Sequence, residues 1–119
     1  MSQNDAGPKT FLAGEALEPW RRVKLSAANT IVYADSGEAS IGVTQARIAS
    51  GAYGTVKLWT ASGTWAIEAS GVITAAAEVY GADDGKVWAT ASGTGLGWAN
   101  KAAVDGEVFE VIKMQSAEA

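Results

Sequence analysis

Carboxylates, glycine-rich loops and scattered lysines are the groups from which any chemistry would have to be built, because the chain contains no His and no Cys. Those two absences exclude a Cys nucleophile, a thiolate or imidazole metal site, a Ser-His-Asp triad and any disulfide. Asp83-Asp84 is the one adjacent carboxylate pair. Side-by-side carboxylates can share acid and base roles, but Asp83-Asp84-Gly85 reads as a turn, and the ligand spacing of a calcium loop is absent. Gly93-Thr94-Gly95-Leu96-Gly97 lacks the spacing of a phosphate-binding loop, and Gly85-Lys86 is followed by Val87 where a phosphate loop needs Ser or Thr. No Ser-x-x-Lys occurs. We therefore expect no catalysis, no cofactor and no bound metal. A formal charge of −4 argues against a nucleic-acid partner, which requires a basic footprint.

The elements that would position side chains are strands. With 119 residues the chain has the size of one domain with a single core. Short runs rich in Val, Ile, Tyr, Trp and Thr alternate with Gly, Asp, Asn and Ser. Strands are expected at residues 21–25, 30–34, 39–44, 55–60, 65–68, 78–80, 86–90, 96–99 and 107–112. Asp35-Ser36-Gly37, Asp83-Asp84-Gly85 and Asp105-Gly106 supply the turns. This spacing predicts an all-β fold, a small barrel or sandwich of short antiparallel strands. Residues 1–19 hold both prolines, Pro8 and Pro19, and are expected as an extended N-terminal arm. Residues 20–113 form the β domain, and residues 114–119 a C-terminal tail. Residues 45–50 and 74–78 are ambiguous and are treated as connections. The polar N-terminus lacks the apolar core of a signal peptide, and no run is apolar enough to span a membrane. The expectation is synthesis in a cytoplasm, with no membrane partner. TASGT occurs at residues 60–64 and 90–94, preceded by Lys57-Leu58-Trp59 and Lys86-Val87-Trp88, an echo that reads as two similar hairpins.

Charged residues make up 18%, below the ordinary ~25%, as expected for a bland surface or one covered by partners. Strand alternation sharpens the choice. Val56 and Leu58 share one face, with Lys57 and Trp59 opposite. Val87 and Ala89 share another, with Lys86 and Trp88 opposite. Val23 and Leu25 oppose Trp20, Arg22 and Lys24. Three Trp thus lie on faces bearing Lys or Arg. They either lie flat under alkyl stems or anchor an intersubunit or partner surface; stacking on carbohydrate is a third option. In residues 107–113, Val108, Glu110 and Ile112 face one way and Phe109 and Val111 the other. Both faces are partly apolar, so this strand is central or lies at a subunit contact.

In order and spacing, Val23-Lys24-Leu25, Ile31-Val32-Tyr33-Ala34-Asp35, Ile41-Gly42-Val43-Thr44, Gly71-Val72-Ile73-Thr74-Ala75, Glu78-Val79-Tyr80, Asp84-Gly85-Lys86-Val87, Leu96-Gly97-Trp98-Ala99 and Asp105-Gly106-Glu107-Val108 with Glu110-Val111 resemble the small capsid cement, or decoration, proteins of tailed bacteriophages. The resemblance covers about three-quarters of the chain, leaving out residues 1–19 and 114–119. It implies a non-enzymatic β-barrel or sandwich, a homotrimer or alternatively a homodimer. It implies a virion location on the outer surface of the head, where the protein clamps neighbouring major capsid protein subunits against the pressure of packaged DNA. On this view Pro8, Phe11, Leu12 and Leu17 are the capsid-binding arm residues, and Trp20, Arg21, Arg22, Trp59, Trp88 and Phe109 form the oligomer or capsid interface. Arg21, Arg22 and Lys24 either face an acidic capsid patch or form a solvated edge that blocks unwanted pairing. A virion adhesin or carbohydrate-binding module is the alternative function, and a head-completion or tail-tube subunit a further rival.

Overall fold

The computed structural model describes residues 8–60, 64–91, 93 and 95–113, and their regular structure is built from strands. Among the described residues ten strands follow one another: β1 (Pro8–Ala13), β2 (Arg22–Ala27), β3 (Thr30–Tyr33), β4 (Gly42–Thr44), β5 (Tyr53–Leu58), β6 (Trp65–Glu68), β7 (Glu78–Gly81), β8 (Val87–Trp88), β9 (Gly97–Ala99) and β10 (Val108–Lys113). Among the described residues the helical structure is confined to a 3-10 turn, Asp83–Gly85. All nine expected strands are present with trimmed or shifted ends, and the all-β class is borne out.

The first five strands close into a barrel in the order β1-β3-β2-β4-β5. Its closing strand, β1, was not expected. It runs antiparallel to β5 from Pro8↔Lys57 to Leu12↔Tyr53, and parallel to β3 at Leu12↔Thr30 and Ala13↔Ile31. The arm expected over residues 1–19 is therefore corrected: residues 8–13 are a barrel strand. The reason is physical. Phe11 and Ala13 alternate inward and are buried, and closing the barrel removes the open edges that β3 and β5 would otherwise present. Pro8 occupies the first strand position, where a missing N–H is tolerated. Residues 1–7 and the expected tail, 114–119, lie outside the described residues.

The last five strands form a curled sheet, β6-β10-β9-β7-β8. A parallel bridge, Ala69↔Val87, brings its two ends together. Substituting β6 for β1, β7 for β2, β8 for β3, β9 for β4 and β10 for β5 reproduces the cyclic order of the barrel. The chain is a tandem pair of five-stranded units.

The repeat extends to individual hydrogen bonds. Four corners share one pattern, starting at Ala13, Thr44, Ala69 and Ala99. Four residues on from each start stand Leu17, Ile48, Ile73 and Ala103. Leu17 and Ile48 exchange both backbone hydrogen bonds at 2.8 Å, and Ile73 and Ala103 do the same at 2.8 and 2.9 Å. Each start residue also clasps the far end of its partner corner. Ala13 pairs with Gly51 and Ala52, Thr44 with Trp20 and Arg21, Ala69 with Gly106 and Glu107, and Ala99 with Ala76 and Ala77. All eight anchor side chains are buried. The turning residue of each corner has positive φ: Trp20 (64°), Gly51 (83°), Ala76 (70°) and Gly106 (85°).

Gly42 and Gly97 make the equivalence concrete. A Cβ on Gly42 would lie 2.3 Å from the Lys57 carbonyl oxygen, and one on Gly97 would lie 2.0 Å from that of Ile112. Both glycines let β4 or β9 pass its neighbour, β5 or β10, at close range. The TASGT echo is a different matter. Lys57-Leu58-Trp59 belongs to β5 and its end, whereas Lys86-Val87-Trp88 leads into β8, the counterpart of β3, so the two copies do not occupy equivalent places. Ala61, Ser62, Gly63, Ser92 and Thr94 of that echo are outside the described residues.

Two clusters form the interior. Phe11, Ala13, Leu17, Val23, Ile31, Ile48 and Val56 fill the barrel. Trp65, Ile67, Ile73, Val79, Val87, Phe109 and Val111 lie under the curled sheet, joined by Val43 from the barrel's outer face.

Candidate functional site

The barrel has an outward row of side chains that is covered. Arg22 on β2 stands opposite Val43 on β4, which stands opposite Lys57 on β5. Arg22 and Val43 are both fully buried beneath the C-terminal unit. The Arg22 guanidinium donates to the carbonyls of Lys86 (3.1 Å), Ala82 (2.7 Å) and Ala34 (3.1 Å), with longer contacts to Asp35 and Glu38. It is a staple between units made almost entirely to backbone. Gly81 permits its approach, since a Cβ there would lie 2.6 Å from the guanidinium carbon. Burial pushes the Arg22 pKa down to about 10, opposed by the fields of Asp35, Glu38 and Asp83. The expectation that Arg22 belongs to a surface facing a capsid is corrected.

The neighbouring charges are also committed within the chain. Arg21 pairs with Glu68 at 3.1 Å, donates to the Asp84 carbonyl, and lies 5.5 Å from the Tyr33 ring centroid. Lys24 pairs with Glu38 at 2.7 Å, and Lys86 with Glu68 at 3.5 Å. The basic cluster 21–24 is a set of internal contacts rather than a free patch.

The expected apolar anchors divide similarly. Phe11 and Leu17 are barrel core, Phe109 is sheet core opposite Ile67, and none of the three is accessible to a partner. Leu12 is half-buried opposite Tyr53. Trp20 is half-buried at its corner, and its carbonyl accepts from Glu68 N–H at 2.9 Å. Trp59 packs on the C-terminal core, with its ring centroid 5.2 Å from that of Trp65 and its indole N–H on the Ser40 hydroxyl. Lys57 lies 4.5 Å from the Trp65 ring centroid, so here the lysine-over-Trp option of the sequence is realised, on a ring that is itself buried. Trp88 is half-buried opposite Tyr80.

What remains open lies mainly on the C-terminal unit. β10 is central, between β6 and β9, as one of its two expectations held. Its outward Val108 and Ile112 are 40% and 45% exposed, and Trp98, opposite Ile112, is 41% exposed. Glu78 flanks Trp98 on the other side. Glu110 accepts from Thr64 (2.5 Å) and Asn100 (2.6 Å), which hold its carboxyl below the usual range. The sequence set Val108, Glu110 and Ile112 on one face of a strand expected to be central or at a subunit contact, but Trp98, Val108 and Ile112 were not among its candidate site residues. At the far corner, Val72 and Val104 are 75% and 59% exposed, and the Ile73↔Ala103 bridge sets them across from each other. Their counterparts in the barrel are Ala16 and Ala49. Among the described residues no cluster of three or more carboxylates could hold a metal ion.

No family model matches the sequence, and no curated protein matches it. The fold does have a solved counterpart. It is similar to the head fiber gp8.5 N base of bacteriophage phi29, with a TM-score of 0.77 and 17% identity over 92% of this chain and 98% of the other. At that identity the likeness is one of fold.

Proposed function

We propose that this chain is a structural protein of a phage virion that sits on the outside of the head. At finer grain, it acts as a cement that clamps neighbouring major capsid protein subunits. The observation that carries this reading is the shared fold with a phage head fiber base across nearly the full length of both chains. The sequence pattern of a small acidic β protein without His or Cys supports it. The physical mechanism is multivalency: a clamp touching several subunits gains because its second contact is effectively intramolecular.

The test is co-sedimentation with undecorated expanded heads, with unexpanded proheads as control, followed by heat challenge of the loaded heads. Saturable binding to expanded heads with raised heat resistance supports the cement role. Binding without added resistance leaves a head-associated protein and removes the cement role. No binding to either particle, together with capture on a glycan array, replaces both with the adhesin. Deleting residues 1–19 is unsuitable as a control because it removes β1. The double substitution Val72→Glu with Val104→Glu, and separately Trp98→Glu, determines which exposed apolar area meets the shell.

A further inference from the structure

Arg21 shows how this chain seats a cation. Its guanidinium carbon lies 5.5 Å from the Tyr33 ring centroid and its Nε pairs with Glu68 at 3.1 Å, so an aromatic face and a carboxylate hold one charge together. The outward face of the C-terminal sheet carries the same two kinds of group. Trp98 on β9 stands between Glu78 on β7 and Ile112 on β10. Glu110, two residues from Ile112 on the same face of β10, is the diagonal neighbour of Trp98. Direct and diagonal neighbours on a sheet face lie roughly 5 and 7–8 Å apart, so a cation resting on the indole can reach either carboxylate.

Among the described residues the ion pairs take up Glu18, Glu38 and Glu68, not Glu78 or Glu110. Lys101 acts on Glu110 only through its field, and Thr64 and Asn100 hold the two oxygens of Glu110 in place. Around these charges Trp98, Val108 and Ile112 are exposed. A second copy has no cluster of cations to set on this face. Of the nine Lys and Arg, four are ion-paired, Arg22 is buried, and Lys57 and Lys113 donate to backbone carbonyls. That leaves Lys9 and Lys101, one on each unit.

We propose that the Trp98 face is where the protein meets the shell, and that its partner there is an Arg- or Lys-bearing segment of capsid protein. The partner's cation sits on Trp98 between Glu78 and Glu110, with apolar side chains against Val108 and Ile112. The inference rests on the head-associated reading above and names its contact. Charge complementarity selects the partner, because two carboxylates outside any ion pair beside an open indole attract a cation and repel an acidic surface.

Co-sedimentation with expanded heads over a salt series tests it. Glu78→Lys should weaken binding by roughly tenfold or more, and Trp98→Leu by roughly threefold or more. Rising salt should weaken the wild type more than Glu78→Gln. The double substitution Val72→Glu with Val104→Glu should bind as the wild type does, and every variant should keep the wild-type circular dichroism. A wild-type chain that binds no heads removes the head-associated reading and this contact together. Head binding that Glu78→Lys and Trp98→Leu leave intact overturns the contact alone. Binding weakened by Trp98→Leu but indifferent to Glu78→Lys and to salt overturns the cationic partner. Wild-type self-association in sedimentation velocity that Trp98→Leu abolishes gives the face to a second copy and overturns the proposal as well.

Discussion

Arg22 shows how one side chain can hold two units together without a carboxylate partner. Its guanidinium meets carbonyls of both units, and burial has already cost it part of its affinity for the proton. Removing it strands these acceptors away from water. Arg22→Ala is expected to cost about 3 kcal/mol or more, and Arg22→Lys should recover little, because an ammonium cannot reach carbonyls in a fork; chemical denaturation gives both values. Ala76 works in the opposite direction. Its φ of 70° is strained for a residue with a Cβ. Ala76→Gly should stabilise by about 0.5–1 kcal/mol after allowing for the freer unfolded chain, a rise of roughly 2–4 °C in Tm. A lower Tm would show that the corner does not hold Ala76 under strain. Glu110 sets an acid limit. Hydrogen bonds from Thr64 and then Asn100 hold its folded pKa below the ordinary 4.5. The sign follows from linkage: the contribution is present above 4.5 and disappears as pH falls through the depressed folded value. Thermal melts of Glu110→Gln should therefore fall less steeply below pH 4.5 than those of the wild type.

Among the elements, β1 is the one that sequence patterning misread. Lys9-Thr10-Phe11-Leu12-Ala13 has the alternation of a strand, but two flanking prolines and a position near the N-terminus made it look like an arm. Its partners, β3 and β5, are remote in sequence, and no local signal announces a barrel closure. The other nine strands were legible because β-branched and aromatic runs sat between turn residues. The inward and outward assignment of β10 was legible from alternation alone. What alternation could not supply was the environment of each outward face. Arg22 and Trp59 lie on outward faces, as read, but those faces are covered by the other unit. β4 and β9 also carry a requirement visible only in three dimensions, the close passage at Gly42 and Gly97. Gly97→Ala should destabilise by about 3 kcal/mol or more, since its Cβ meets backbone that cannot step aside. An unchanged denaturation midpoint for Gly97→Ala would remove close passage as the reason for glycine there.

For the molecule as a whole, the four corners were present in the sequence as spacing, from Ala13, Thr44, Ala69 and Ala99 to their buried partners. They were hidden because equivalent positions hold such different residues as Trp20, Gly51, Ala76 and Gly106. The identity in the sequence falls instead on TASGT, whose two copies stand at different points of the repeat, after β5 and after β8. The staple at Arg22 and the shared burial of Val43 should make the two units unfold as one: Trp fluorescence and far-UV circular dichroism are expected to give coincident denaturation curves, and Arg22→Ala should pull them apart. Curves that still coincide in the variant would place the coupling elsewhere. The closing role of β1 also has a consequence in time. Every strand of the barrel is encoded before Trp65, so the nascent chain can complete one closed hydrogen-bond circuit while its second half is still being translated. Until that half emerges, Val43 is uncovered and Arg22 lacks its carbonyls from residues 82 and 86. The growing protein thus offers a finished template with one unfinished face, and the later strands fold onto it.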